Sequence, residues 1–368
     1  MKQKMTPLGV IFFALTLAIF GVLIYNFIRN RGEGMKKLTV KEIAKMAGVS
    51  VTAVSFVLNN KPGVSDETRA KVQQIIDETG FKPNLTSKKL LFNKSYNITL
   101  MINSFSSPFD DLFYFEITRG ILNRSRKYNY NITIARLSSS KPELPDTVYS
   151  GDTDGIIFMQ DINEKLIDKA VECKIPSVIV DSHSISKKIP SIAPDYRKAT
   201  YDATKHLIKH GHTDIAMIAS DTVLDFYKQS LLGFCDAMNE VHLNTDPESC
   251  GICARDEESA YNACKKLLSG DITPTAILCT VDSFAIGAMR CAKDMGFSVP
   301  GDVSFIGIDD ILLSRYIEPN LTTMGIDKVE MGKMAMDMLL KQIKGEKTQS
   351  ILLPMELVER DSVCDCQL

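Results

Sequence analysis

The chain has 368 residues, 45% hydrophobic and 24% charged, with a net charge of −2 and nine cysteines. That is enough apolar material for a substantial core spread over more than one domain, and it excludes disordered and fibrous classes. The near-neutral total hides a split. Residues 36–94 hold eleven Lys or Arg against five Asp or Glu, while the chain beyond them holds 28 against 39. Clustered positive charge is the footprint of a phosphate-backbone binder, and an acidic body repels nucleic acid. An odd number of cysteines scattered through apolar stretches suits a reducing compartment better than a disulfide framework.

Residues 1–34 form an extension. Its stretch 8–28, LGVIFFALTLAIFGVLIYNFI, is 21 residues without a charge, long enough to span a bilayer as one helix. Lys2 and Lys4 precede it, and Arg29, Arg31, Lys36 and Lys37 follow. The heavier positive flank is expected to stay on the cytoplasmic side, beside the basic module. A signal peptide fits less well, because the run exceeds a usual h-region and no small-residue cleavage site follows Ile28. Translation from Met35 is an equal alternative, so the expected location is the cytoplasm or the cytoplasmic face of the membrane.

Thr39 to Asn59 reads TVKEIAKMAGVSVTAVSFVLN. Thr39 and Glu42 have the spacing of a capping box, which predicts a helix start. Ile43, Ala44 and Ala47 recur at helical spacing, Gly48 permits a tight turn, and Ser50 caps a second helix. Two short helices across such a turn are the spacing of a helix-turn-helix, whose second helix enters the major groove by its N-terminal residues. Val51, Thr52 and Ser55 are thus the candidates for base contacts. Ser65, Asp66 and Glu67 open a third helix that Gly80 ends. By periodicity alone a small structural bundle is a fair competitor.

The residues themselves narrow the choice. TVKEIAKMAGVSVTAVSFVLNNKPGVSDETRAKVQQIIDETGFKPN closely resembles the DNA-binding domain of the lactose-repressor (LacI/GalR) family, matching its AxxAGVSxxxVSxVLN core, its VSxxTRxKV third helix and its closing FKPN. The resemblance assigns Thr39, Ser50, Val51, Thr52, Ser55 and Asn59 to the DNA face. Phe56 stands where the family usually has an Arg. It also makes residues 84–95 a hinge helix and linker, with Leu90 as the minor-groove wedge and Lys88 near phosphates.

After Ser95, apolar runs alternate with helical patterns: ITLMI, ITIAR, GIIFM, SVIVD, IAMIA, AILCT and SFIGI. Strands spaced by helices such as 199–210 and 329–341 predict parallel sheets, with ligands at the carboxyl ends of strands. That rule directs attention to residues 104–110, Asp181, Asp225, Asp282 and Asp309. The same family's effector domain, a periplasmic-binding-protein-like pair of lobes with three crossovers, is resembled from HLIKHGHTDIAMI through EPNLTTM. The resemblance makes Asp309 the effector-binding aspartate and Asp282 the acid of an NDxxA segment, with Phe109, Asp225 and Phe226 as further contacts. Ser230 replaces an effector-clamping Arg and Val281 replaces an Asn.

No GxGxxG, GxxxxGK[ST] or GxSxG occurs, and HLIKH lacks the Glu of a zinc-hydrolase helix. His206 and His210 read as helix-end histidines; the pairs Cys250/Cys253 and Cys364/Cys366 read as structural thiols. Neither catalysis nor a cofactor is expected. The expected architecture is multi-domain: an all-α helix-turn-helix domain at 35–83, the hinge at 84–95, a two-lobed α/β effector and dimerisation domain at 96–363, and a tail at 364–368. The expected function is sequence-specific transcription regulation, by repression in the first place, as a homodimer on operator DNA under a small-molecule effector. The alternatives are a membrane-anchored solute-binding protein, for which residues 39–91 have no role, a sugar-processing α/β enzyme, and a family regulator controlled by a partner protein.

Overall fold

The computed structural model describes residues 38–58, 61–81, 94–102, 111–136, 143–160, 162–182, 188–220, 225–243, 245, 250–253 and 256–366. The candidate membrane run 8–28 and the hinge at 84–91 lie outside them. Among the described residues no helix is long and apolar enough to cross a membrane. The chain divides into two compact units, Met1–Asn93 and Lys94–Leu368.

Among the described residues the first unit is a three-helix module. α1 (Val40–Ala47) opens with the complete capping box: the Thr39 hydroxyl accepts from the Glu42 amide at 3.3 Å, and the Thr39 amide donates to the Glu42 carboxylate at 2.7 Å. Gly48 ends it at φ 65°, a left-handed conformation that a side chain rarely tolerates. α2 (Val51–Leu58) starts from Ser50, whose hydroxyl accepts from the Ala53 amide at 3.1 Å. α3 (Asp66–Thr79) is capped by Ser65 and closed by Gly80. Ile43, Ala47, Val54 and Val72 are fully buried and form the centre of the module's core.

The second unit contains two α/β lobes. The first sheet has strand order β11-β5-β4-β3-β1-β2 and is parallel throughout. Its strands are β1 (Asn97–Ile102), β2 (Asn131–Arg136), β3 (Gly155–Met159), β4 (Ser177–Val180), β5 (Ser191–Pro194) and β11 (Ile351–Leu353). The second sheet has order β12-β10-β9-β8-β6-β7 and is parallel except at β12. It is built from β6 (Ile215–Ser220), β7 (Cys250–Cys253), β8 (Ala276–Cys279), β9 (Ser304–Asp309), β10 (Thr322–Gly325) and β12 (Glu356–Val358). Central strands such as β3 are buried along their whole length, as expected when helices cover both faces of a parallel sheet.

The covering helices are α4 (Leu112–Lys127), the one-turn α5 (Asp146–Tyr149), α6 (Glu164–Glu172), α7 (Tyr196–Lys209), α8 (Asp225–Glu240), α9 (Glu257–Leu268), α10 (Asp282–Asp294) and α11 (Lys328–Ile343). The chain passes between lobes three times: from β5 into α7, from β10 into α11, and from β11 into β12. α11 packs in the core of the first lobe although it follows the last long run of the second. Seven strands coincide with the apolar runs of the sequence; β5, β7, β10, β11 and β12 are only three or four residues long and carry no period that reveals them.

Close helix approach is built into the sequence. A Cβ on Gly332 of α11 would lie 2.1 Å from the Ile117 carbonyl oxygen, and one on Gly120 of α4 would lie 2.1 Å from the Val329 carbonyl oxygen. Only hydrogen fits at this crossing. Gly332→Ala is therefore expected to cost about 1 to 3 kcal/mol, the usual range for overpacking, seen as a lower urea midpoint; an unchanged midpoint would show that the two helices separate freely.

Candidate nucleic-acid interface and effector cleft

On the first unit, burial sorts the candidate base-reading residues. Val54 and Val57 face inward and anchor α2. Val51 is 45% exposed, Thr52 is exposed, and Ser55 is half-buried. The hydroxyls of Thr39 and Ser50 are engaged in capping, so these residues present the helix N-terminus and its free amides, which suit a phosphate. Phe56 lies against Gly63, which has φ 107° and would place a Cβ 3.1 Å from the ring. Where the family usually has an Arg, this chain thus has an aromatic ring closing the turn after α2. The Lys61 amide donates to the Phe56 carbonyl at 2.9 Å, and the Arg69 guanidinium donates to the Lys61 carbonyl at 2.7 Å. Asn59, Lys88, Leu90 and Phe109 lie outside the described residues.

On the second unit, carboxylates gather where the strands end. Asp181 follows β4 at φ 62°, and Asp309 ends β9 at φ 118°. Strained backbone of this kind persists where surrounding structure holds it, often around ligands. Asp181 is 5% exposed and accepts from two tyrosines: Tyr114 of α4, and Tyr196 of α7 at 2.6 Å. Burial, then the Asp181 charge, pushes both phenols well above their ordinary range, so both remain donors. The Tyr196 ring lies 5.0 Å from Phe226, which in turn lies 3.7 Å from Tyr227. Phe226 is thereby placed beside Asp181; Asp225 opens α8 next to it.

Asp309 is also 5% exposed. Burial first, then the neighbouring charge of Asp282, raises its carboxyl well above the usual carboxylate range; Asp111 and Asp181 act in the same direction and Lys328 opposes them. The Lys328 ammonium is itself 3% exposed and donates to the Asp309 carbonyl and, at 2.9 Å, to the Asp310 carbonyl. It therefore fixes the backbone that aims Asp309, while no donor among the described residues meets the Asp309 carboxylate. Such a carboxylate can accept from a ligand.

Asp282 sits differently. It has no exposed surface, and its oxygens accept from the Ile311 amide at 2.9 Å, Ser314 at 2.5 Å and Thr323 at 2.6 Å. Three donors of its own lobe fill most of its acceptor capacity and tie α10 to the segment after β9 and to β10. Val281, at the N-cap of α10, makes no side-chain capping bond, which an Asn could make. Ser230 is fully buried on α8 and its hydroxyl meets no partner among the described residues, so it does not reach outward as an Arg would. Tyr114, Tyr196, Lys328 and Asp111 are cleft residues that the sequence did not single out. Their partners are distant in the chain; only the strand-end rule, which marks Asp181, pointed toward them.

A helix-turn-helix unit with a base-reading helix, followed by two parallel-sheet lobes enclosing acids at their strand ends, defines the class of DNA-binding regulators with a ligand-sensing domain. Residues 39–84 match the family described as bacterial regulatory proteins, lacI family, and residues 204–363 match a periplasmic binding protein-like domain. The chain is 32% identical over 330 residues to the "Probable HTH-type transcriptional repressor ExuR" of Bacillus subtilis (strain 168), covering 89% of this chain and 98% of that one. It is 30% identical over 332 residues to catabolite control protein A of Priestia megaterium, covering 88% and 99%. The lac repressor dimer bound to operator and an anti-inducer superposes with a TM-score of 0.77 at 25% identity, covering 89% of this chain and all of that one. The chain belongs to the lacI family: it is a DNA-binding transcriptional regulator.

Two outcomes follow from these geometries. Thr52→Ala should cost about 1 kcal/mol of discrimination at the base it meets with little change on random duplex; equal loss on every sequence removes it from the reading set. Burial raises the Asp282 carboxyl to about 6, against the Ser314 and Thr323 hydrogen bonds that lower it. A folded value above the unfolded one means stability that is complete below the unfolded value and lost as pH rises through about 6. The urea midpoint of the wild type, relative to that of Asp282→Asn, should fall between about pH 4 and about pH 7; a constant difference contradicts the assignment.

Proposed function

We propose that the protein is a homodimeric repressor whose two α2 helices read a near-palindromic operator, and whose operator affinity is set by a hydroxyl-rich small molecule held between the lobes. The observation that carries the effector reading is the pairing of an open carboxyl group with aromatic rings: Asp309 beside Asp181, with Phe226 packed at a tilt against Tyr196. Carboxylates accept from sugar hydroxyls, and a flat ring covers the apolar face of a pyranose or furanose; few polar groups against aromatic walls is the usual make-up of such sites. Asp225 and Asp309 are the proposed polar contacts and Phe226 the stacking surface. Phe109, in the segment after β1, is a further proposed wall. Asp282 serves indirectly, by holding the segment after β9.

The residues proposed for DNA are Val51, Thr52 and Ser55 for bases, Thr39, Ser50, Asn59 and Lys88 for the backbone, and Leu90 as a wedge. Residues 35–83 then form the DNA-binding domain, 84–95 the hinge, and 96–363 the effector and dimerisation domain. Among solved structures of the same fold are a complex of the regulator CelR with cellobiose and a LacI family regulator of Enterococcus faecium with bound ribose, which favours a saccharide over a protein co-regulator.

The test is selection of the full chain on a library of random duplexes. The expected product is a near-palindromic motif with half-sites about one helical turn apart. Retention of duplexes with no shared motif, at a salt concentration where the protein still binds, would overturn the reading.

A further inference from the structure

Beyond the cleft, α7 carries a second arrangement that regulation by an effector does not use. His206 and His210 lie one turn apart at its C-terminal end, about 15 Å and about 21 Å along the helix from Tyr196 at 1.5 Å per residue. Their ring centroids are 4.4 Å apart. Glu359, directly after β12, joins them, so that one donor atom from each of the three side chains lies within 4.8 Å of the others. His206 is 8% exposed, and its Nε2 is fully buried with no hydrogen-bond partner among the described residues. A buried orphan of this kind needs an explanation.

His210 supplies the complement. Its Nδ1 lies 2.9 Å from the His206 carbonyl oxygen. A carbonyl only accepts, so Nδ1 carries the proton and Nε2 bears the lone pair. Metal-ligating histidines are oriented in this way, the second ring nitrogen donating to a backbone carbonyl. His212, two residues on, is the contrast: its nitrogens meet the Thr275 hydroxyl at 3.0 Å and the Cys364 carbonyl at 3.1 Å, so it is fully used as a structural link.

We propose that His206, His210 and Glu359 bind a divalent transition metal of the zinc class, with solvent in the fourth position, tying the end of α7 to the β12 edge of the second lobe. Two imidazoles and a carboxylate are a donor set that zinc accepts, and donors around a tetrahedral zinc lie about 3.3 Å apart. The exposed Glu359 side chain can close the remaining gap by a rotamer change. Lys209 is the nearby cation that acts against the metal, and Glu359 is the acid that compensates it. The spacing HLIKH places no glutamate beside the first histidine, as a hydrolase helix would.

The test uses the full chain, stripped of metal by a chelator, and titrated with Zn2+ in competition with a chromophoric chelator, beside His210→Ala and Glu359→Gln. The wild type should bind one Zn2+ per chain more than His210→Ala, and Glu359→Gln should bind that ion about tenfold or more weakly. Glu359 is exposed, so Glu359→Gln should melt like the wild type in chelator and keeps the test valid even if His210→Ala misfolds. Zn2+ binding of equal stoichiometry and affinity in the wild type and Glu359→Gln, as thiols elsewhere would give, overturns the proposal. So does a wild type that binds no Zn2+ at all.

Discussion

The second unit is organised around the cost of bringing Asp181, Asp282 and Asp309 together away from water, with the exposed Asp111 adding its charge. Like charges in a poorly solvated place disfavour one another's ionised forms, and burial adds to the effect. The fold meets that cost with specific donors. Asp181 receives two tyrosine hydroxyls, Asp282 receives an amide and two hydroxyls, and the buried Lys328 ammonium sits on the carbonyls of Asp309 and Asp310. Asp310 in turn pairs with Arg315 and Arg360. Asp309 alone keeps its acceptors open among the described residues, which makes it the point where a ligand gains most.

Position gives that acid leverage. Asp181 ends a strand of one lobe and Asp309 ends a strand of the other, and Tyr196, which touches Asp181, begins α7 directly after the first crossing between lobes. Lys328 begins α11 directly after the second crossing. A ligand that meets Asp309 therefore acts beside segments that any relative motion of the lobes must bend. It can shift a lobe equilibrium only by its differential affinity for the two arrangements, typically about 1 to 3 kcal/mol of coupling. The strained backbone at Asp181 and Asp309 belongs to the same design, since it is kept where surrounding contacts are dense.

Most of the first unit was legible in the sequence because each of its signals is local: Thr39 with Glu42, Gly48, Ser50, Ser65 and Gly80 each set a helix end within three or four residues. Seven strands, four to six residues long, were legible as apolar runs. Short edge strands such as β12 were not, since three residues have no period and pair only through tertiary context. In the cleft, the resemblance and the strand-end rule both marked Asp309, and the strand-end rule marked Asp181. Tyr114 and Lys328 were invisible because a tyrosine on an amphipathic helix and a lysine at a helix start look like ordinary surface chemistry until their partners are placed. Asp282, a family position, is largely engaged by three donors of its own lobe, which the sequence did not show. The His206 and His210 spacing was plain, but Glu359 reaches them from a different strand edge.

The most direct measurement of the central claim is the affinity of the full chain for a selected duplex as a panel of mono- and disaccharides is titrated in, with Asp309→Asn in parallel. The account predicts that one saccharide class shifts wild-type affinity by about 5- to 150-fold, and that Asp309→Asn binds the duplex equally well but no longer responds. An identical response in both proteins, or loss of bare duplex binding in Asp309→Asn, would contradict it.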